Sequence, residues 1–398
     1  MELKRIDYFL LKVLYLAAVG IVVMQTLGQS GLTSYLFTLT FPVTLLLWMR
    51  TVRKTASSMD LLVLAILALA AVSVLLDACI HDANLSFSYI RKCMMFVMTL
   101  LFLQTAYRVR INENLVRFIN RLVDLLAVFL IFTYFTQYAQ SHYLNGRLSN
   151  YLTFRIGNPN LTGLFLACLY MLELYRLFTP EKWYWKLLHV VMAGFLAFFI
   201  MDSQSRNSLL VMVLFTLVCA WLVFRGKKKM RISRGFATLV SILPILFVAV
   251  YLILINTPLF SRIFAFLVEE GKKLDSRVGI WTLALEKLWD SPLIGAYWAI
   301  SEGTGTSQMH NSHLDIAVSY GVITLLLVCI LLRKYIYQNG RIYTDKQNYI
   351  YMLGFACAIM LGIGEAALFS GGLGIYIFVG SFLLLANREE KPNTGMRK

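Results

Sequence analysis

Residues 61–80 read LLVLAILALAAVSVLLDACI, a run that is continuously apolar rather than alternating. At about 1.5 Å of rise per residue, a helix of that length crosses a hydrocarbon core of roughly 30 Å. In lipid every backbone N–H and C=O must be satisfied within the protein, which leaves helices or closed barrels. Barrel strands alternate in polarity, so a continuous run reads as a helix. Outward from this stretch, comparable runs lie near 8–28, 31–49, 93–107, 122–138, 160–178, 187–202, 207–224, 236–256, 314–332, 349–366 and 371–387. The expectation is an all-α polytopic integral membrane protein of about 12 transmembrane helices, with residues 1–398 forming a single membrane-embedded domain. Composition agrees: only 15% of the residues are charged, against about 25% in soluble domains.

The net charge of +16 does not point to nucleic acid. Lys and Arg fall in short clusters between apolar runs, and no basic stripe with interleaved exposed aromatics is present. Basic connections include Arg50, Arg53 and Lys54; Arg108, Arg110, Arg117 and Arg121; Lys182 and Lys186; RGKKKMRISR at 225–234; and Arg333, Lys334, Arg341 and Lys346. The positive-inside rule assigns these to the cytoplasm, and an even number of spans then puts both termini there. Arg91 and Lys92 are an exception near the outer end of the fourth span. Cys79, Cys93, Cys168, Cys219, Cys329 and Cys357 all fall in or beside apolar runs, with no CxxC pair, and read as small core residues. MELKR precedes the first run without a small-residue cleavage site, so the first helix is expected to be retained.

The remaining connections are less basic and richer in Gly, Asn, Ser and His: 81–92, 139–159, a tight turn at 203–206, the long stretch 257–313, and a link near 367–371. They are expected outside, with 257–313 as one large external loop between the ninth and tenth spans. Within it, KKLDSRVGIWTLALEKLWD at 272–290 has helical periodicity, with Trp281, Ala284, Leu285 and Leu288 on one face. Asp275 or Ser276 suits its N-cap, and Pro292 follows its end. Arg277, one turn before Trp281, shares the apolar face; snorkelling to the interface is its plain structural reading.

The cytoplasmic connections carry no phosphate-binding glycine loop, no dinucleotide-binding glycine fingerprint and no carboxylate pair with metal-ligand spacing. Polar peculiarities gather instead at the outward ends of spans. Arg147 and Arg155 precede GNPNLTG at 157–163; Asp202 and Arg206 flank the 203–206 turn; Arg262 and Arg277 lie in the insert; His310 opens HNSHLD; Glu365 is near the outer end of the eleventh span. Ionisable groups at membrane depth are costly unless paired, so their clustering suggests function. Each also has a structural reading. Arg206 can pair with Asp202, His310 can cap a helix, Asn158 and Asn160 fit a turn and an N-cap, and Glu365 can serve as a buried counter-ion. His310 and His313 without a further ligand make a poor metal site. Together, several arginines and one histidine form an anion site with a candidate base. Outside the cell there is no nucleotide-sugar supply, so the energy for bond formation must arrive in the substrate.

The order SRNS at 205–208, SRVGIW with SPLIGAY at 276–297, then HNSHLDIAVSYG at 310–321 resembles the O-antigen ligase and polysaccharide polymerase superfamily. The resemblance covers the central and C-terminal half, with GNPNLTG adding to it; Ala296 stands where a second glycine is commoner. It implies a glycosyltransferase, free of metal and cofactor, that moves glycan from an undecaprenyl-diphosphate-linked donor to an acceptor hydroxyl at the outer face of the inner membrane. Arg206 and Arg277 would hold the diphosphate, with Arg155 or Arg262 assisting, and His310 would take the acceptor proton. Asn158, Asn160, Asn311, Trp281 and Glu365 are further candidates for substrate binding. The expected partners are that donor, a glycan or lipid acceptor and membrane lipids. Two acceptor classes stay open: another lipid-linked repeat, giving a polymerase of capsule, O-antigen or exopolysaccharide units, or a lipid or protein hydroxyl, giving a ligase. A flippase for lipid-linked oligosaccharide would instead carry broken or charged helices near the midplane of matching halves. A purely structural anchor would leave the convergent arginines without a purpose.

Overall fold

The computed structural model describes residues 3–54, 56–80, 87–136, 143–144, 147–148, 159–179, 181–225, 230–255, 257–258, 275–298, 300, 309–342, 346–366, 368–369 and 374–387. Helices α1 (Arg5–Thr26), α2 (Ser30–Lys54), α3 (Ser58–Ile80), α4 (Phe87–Arg108) and α5 (Glu113–Thr136) lead to a two-residue antiparallel ladder, β1 (Tyr143–Leu144) with β2 (Arg147–Leu148). There follow α6 (Pro159–Leu174), closed by a 3-10 turn at Tyr175–Phe178, then α7 (Trp183–Asp202), α8 (Arg206–Phe224) and α9 (Arg234–Leu254). The last four are α10 (Asp275–Asp290), α11 (Ser312–Ile342), α12 (Lys346–Met360) with a 3-10 turn at Leu361–Ile363, and α13 (Ile375–Ala386).

Eight of the described helices are long and apolar enough to cross a membrane: α1, α2, α3, α6 with its 3-10 turn, α7, α8, α9 and α11. Helices α12 and α13 are apolar but shorter. Helix α4 carries Arg91, Lys92 and Arg108, and α5 carries Arg117, Arg121 and Asp124. The chain is thus an all-α membrane protein.

Burial sorts the helices into centre and rim. Every residue of α13, and nearly every residue of α6, is buried. These two are apolar all round because they have protein on all sides. Rim helices instead bury one stripe and turn large apolar side chains outward, among them Leu61 (68% exposed), Phe132 (62%) and Ile253 (70%). In water such a surface would be costly; in lipid it is the ordinary exterior. Helix α1 packs on α2, α6 on α7, α12 on α13, and α11 on both α3 and α9.

The basic helix ends are tied down rather than loose. Asp7 accepts from Arg50 Nε at 2.6 Å and from Lys54 Nζ at 2.7 Å, pinning the start of α1 to the end of α2. Asp60 accepts from Arg108 and from Gln104 (2.7 Å), joining α3 to α4. Lys92, which fits poorly as a loop charge, is buried and bonds Asp315 of α11 at 2.9 Å, with the Tyr297 ring 4.6 Å away. It is an internal counter-ion, which is why it departs from the loop-charge pattern.

Two glycines lock the connection after α10 onto α11. Gly321 has φ +83 inside α11, and the kink there lets Val322 N–H donate to Pro292 O at 2.8 Å. Gly295 has φ +84, and Ala296 N–H donates to Val318 O at 2.9 Å. A Cβ on Gly321 would fall 1.9 Å from Leu293 O, and one on Gly295 would fall 2.3 Å from Val318 O. Both positions need a left-handed backbone and the absence of a side chain. The SPLIGAY and VSYG motifs are therefore two halves of one docking joint.

Candidate functional site

Proline at the start of α6 suits a position whose N–H has no helical acceptor, and it sets Asn160 in the first turn. Asn160 Nδ2 donates to Glu365 Oε1 at 2.8 Å. Glu365 follows the 3-10 turn at Leu361–Ile363 and is only 3% exposed. Arg277, in the first turn of α10, reaches the same oxygen through Nη2 at 3.0 Å. His310 Nδ1 meets the other oxygen, Oε2, at 3.1 Å. One buried carboxylate thus gathers side chains from three distant parts of the chain. An ionised carboxylate buried without partners would cost several kcal/mol, and three donors offset that cost.

His310 is held in place from several directions. Its φ of +49 lies in the left-handed region, uncommon for a residue with a side chain and costing of order 1–3 kcal/mol. Trp281 is buried, and its Nε1–H donates to Met309 O at 2.8 Å. Asn311 is fully buried and caps α11: its Oδ1 accepts from His313 N (3.1 Å) and Leu314 N (3.0 Å). Its Nδ2 donates to Pro244 O (2.8 Å) and Ile363 O (3.1 Å). His313 Nε2 bonds Ser241 O at 2.7 Å, on the helix turn that Pro244 interrupts. Ser312 Oγ donates to the backbone O of Glu365 at 2.9 Å. Residues 309–315 are thereby stitched to α9, α10 and the Glu365 segment, and Lys92 ties Asp315 to α4.

Arg206 opens α8 directly after the 203–205 turn, and its side chain is exposed. The next residue, Asn207, donates to Leu361 O at 2.7 Å, so this helix start abuts the turn that leads to Glu365. Asp202, at the end of α7, accepts from Tyr134 OH at 3.1 Å. Arg155, Arg262 and Asn158 lie outside the described residues. His310 and Arg277 keep 28% and 27% of their side-chain surface exposed, so both can meet a ligand while bonded to Glu365.

Trp281 and Asn311, candidate ligand groups in the sequence, are buried and hydrogen-bonded to the backbone around His310. Local sequence does not reveal that Glu365 joins Arg277, His310 and Asn160, or that Asp315 anchors the loop through Lys92. The signal available for Glu365 is a lone carboxylate in an apolar span.

Chemically, the cluster offers an imidazole whose Nδ1 faces a carboxylate, which favours the tautomer with Nε2 as acceptor. Beside it stands a guanidinium that gives one of its five N–H donors to that carboxylate. A base oriented by a third group is the general pattern for activating a hydroxyl.

No curated protein matches the chain. The family model described as O-antigen ligase matches residues 191–329, about a third of the chain, from within α7 into α11. That segment contains Arg206, Arg277, Trp281 and His310, and it stops short of Asn160 and Glu365 on either side. Over that segment, which carries those residues at the starts of α8 and α10 and just before α11, the chain is similar to the O-antigen ligase family.

Proposed function

We propose that this protein polymerises glycan repeat units of capsule, O-antigen or exopolysaccharide type, using an undecaprenyl-diphosphate-linked donor at the outer face of the cytoplasmic membrane. The family supports the coarser statement of a ligase- or polymerase-type membrane glycosyltransferase with a lipid-linked glycan donor and an acceptor. The observation that supports the transfer chemistry of this reading is the convergence of Arg277, His310 and Asn160 on buried Glu365. A base and a cation on one carboxylate suit a reaction that removes a proton at one point and stabilises an anion at another.

In this reading the acceptor hydroxyl oxygen attacks the anomeric carbon of the donor. The bond from that carbon to the diphosphate oxygen breaks, and its electron pair leaves with the diphosphate. Arg277 and Arg206 hold the leaving group, and a planar guanidinium matches paired phosphate oxygens. His310 Nε2 takes the hydroxyl proton while Glu365 fixes the ring through Nδ1. Attack opposite the departing diphosphate inverts the anomeric centre. A diphosphate with neutralised charge leaves readily, so the reading needs no metal or cofactor at this site. The count of about 12 spans rests on the apolar runs, and the outward orientation, cytoplasmic termini and external 257–313 loop rest on the positive-inside pattern.

The test is purified full-length protein given a defined lipid-linked repeat. Elongation into a ladder of multiples supports polymerisation. Transfer only to an added lipid or protein hydroxyl supports the ligase variant of the same chemistry. Absence of any new glycosidic bond with both acceptors overturns the proposal.

A further inference from the structure

Thirteen residues along α6 from Asn160, or ~20 Å away, the helix carries a second buried cluster unrelated to the transfer site. Glu173, at the far end of α6, is fully buried. Its Oε2 lies 2.8 Å from Nδ1 of His189 on α7, itself 2% exposed. Asp124 Oδ1 of α5 lies 3.8 Å from the same nitrogen. Behind the ring, His189 Nε2 lies 3.2 Å from Glu181 Oε2. Arg176 bonds Glu181 Oε1 through Nη2 (2.6 Å) and Nε (2.9 Å), and reaches Asp124 Oδ1 at 3.4 Å.

The geometry points to a divalent-cation site formed by Asp124, Glu173 and His189, suited to an ion of the zinc or manganese class. One donor atom from each residue lies within 4.8 Å of the others. A tetrahedral shell with bonds of about 2.1 Å has edges of about 3.4 Å, so small side-chain movements close the set around an ion. One nitrogen and two carboxylate oxygens suit such cations. Glu181 Oε2 lies 3.2 Å from His189 Nε2, on the side where metal-bound histidines commonly donate their second N–H, but it makes no hydrogen bond in this arrangement. Arg176 holds Glu181 in that position.

Charge and hydrogen bonding supply the independent argument. Glu173 Oε1 is buried with no hydrogen-bond partner, although its carboxylate faces the cluster. Among these residues three carboxylates face one guanidinium, so a neutral imidazole leaves two negative charges unbalanced, the complement of a divalent cation. A cation bridging Glu173 and Asp124 answers both and clamps α5, α6 and α7 together at this end.

The experiment uses the full chain in detergent, stripped with a chelator and titrated with Zn²⁺ alone by calorimetry, with thermal unfolding followed in parallel. One Zn²⁺ should bind per chain, and the melting temperature should rise with its concentration, as for any ligand that prefers the folded state. Asp124→Asn and Glu173→Gln should each weaken binding at least about tenfold. Asp124 is 30% exposed, so its variant is the one expected to stay folded. Cobalt in place of zinc reads the shell in the unmutated chain, where visible absorption from a nitrogen–oxygen site is expected. Absence of saturable Zn²⁺ uptake, a colourless cobalt complex, or equal affinity in wild type and Asp124→Asn would each overturn the site. The cluster would then be a charge network closed by imidazolium. None of these readouts depends on glycan transfer.

Discussion

Glu365 Oε2 stands 3.1 Å from His310 Nδ1, while its Oε1 is shared by Arg277 and Asn160. The two oxygens therefore do different work, one orienting a ring and the other bracing a cation. Because Glu365 is buried and its backbone O accepts from Ser312, the pair is set by the helix ends rather than by solvent.

From this follows a test of Glu365 as the residue that orients the base. Glu365→Gln keeps an amide oxygen but can turn its NH₂ towards His310, favouring the wrong tautomer, and it removes the charge facing Arg277. Turnover in the transfer assay should fall by about 10²–10⁴, with little change in donor affinity. Near-normal turnover in Glu365→Gln would reduce Glu365 to a structural counter-ion.

Much of the fold is legible in the sequence because lipid imposes a single rule: a continuous apolar run must close its hydrogen bonds as a helix. Residues 61–80 and Ser58–Ile80 are the same element seen twice. The 272–290 periodicity is legible for the same local reason, and Trp281, Ala284 and Leu288 are buried, though Leu285 is 36% exposed. Contacts across long separations are not legible this way. His310 and Glu365 are 55 residues apart, Arg277 and Glu365 are 88, and Lys92 and Asp315 are 223. No periodicity encodes such pairs. Lys92 reads as a stray loop charge for that reason, and the bond from Trp281 N–H to Met309 O is equally invisible.

The arginines separate charge from shape. Arg277→Ala and Arg206→Ala should each abolish transfer while leaving the protein inserted. Lysine should rescue poorly at both positions, since a point charge does not reproduce a planar fork on a diphosphate. Transfer kinetics with membrane-extracted protein measure this. Activity close to wild type in Arg277→Lys would mean that Arg277 only braces Glu365.

The docking joint on α11 can be tested without any substrate. Gly321→Ala must hold a left-handed backbone, costing roughly 1–2 kcal/mol, and also displace Leu293 O from 1.9 Å. The loop would have to leave α11, so thermal stability should drop by several degrees and transfer should fall with it. Gly279→Ala is the control, since a Cβ there meets nothing within 4 Å. Equal melting temperatures for the two variants would remove the joint from the account.

Orientation has its own experiment. On intact cells, an impermeant thiol reagent should label single cysteines placed at positions 145 and 305, but not at 228 or 340, in a background lacking the native cysteines. The expectation comes from the basic runs at 225–234 and around Arg341. Labelling at 228 from outside would invert the protein and bring the Arg277–His310 end to the cytoplasm.

His310 divides binding from proton transfer. If His310 is the base, His310→Ala should bind the lipid diphosphate donor with nearly unchanged affinity, because the arginines hold it, while turnover falls by about 10²–10⁴. The two readouts also discriminate against a structural role. His310 holds a strained φ of +49 in a loop fixed by Trp281 and Asn311, so alanine there should leave the loop's other anchors in place. A variant that unfolds, or that loses donor affinity and turnover together, would make His310 a part of the scaffold. The proton would then have to leave by another group.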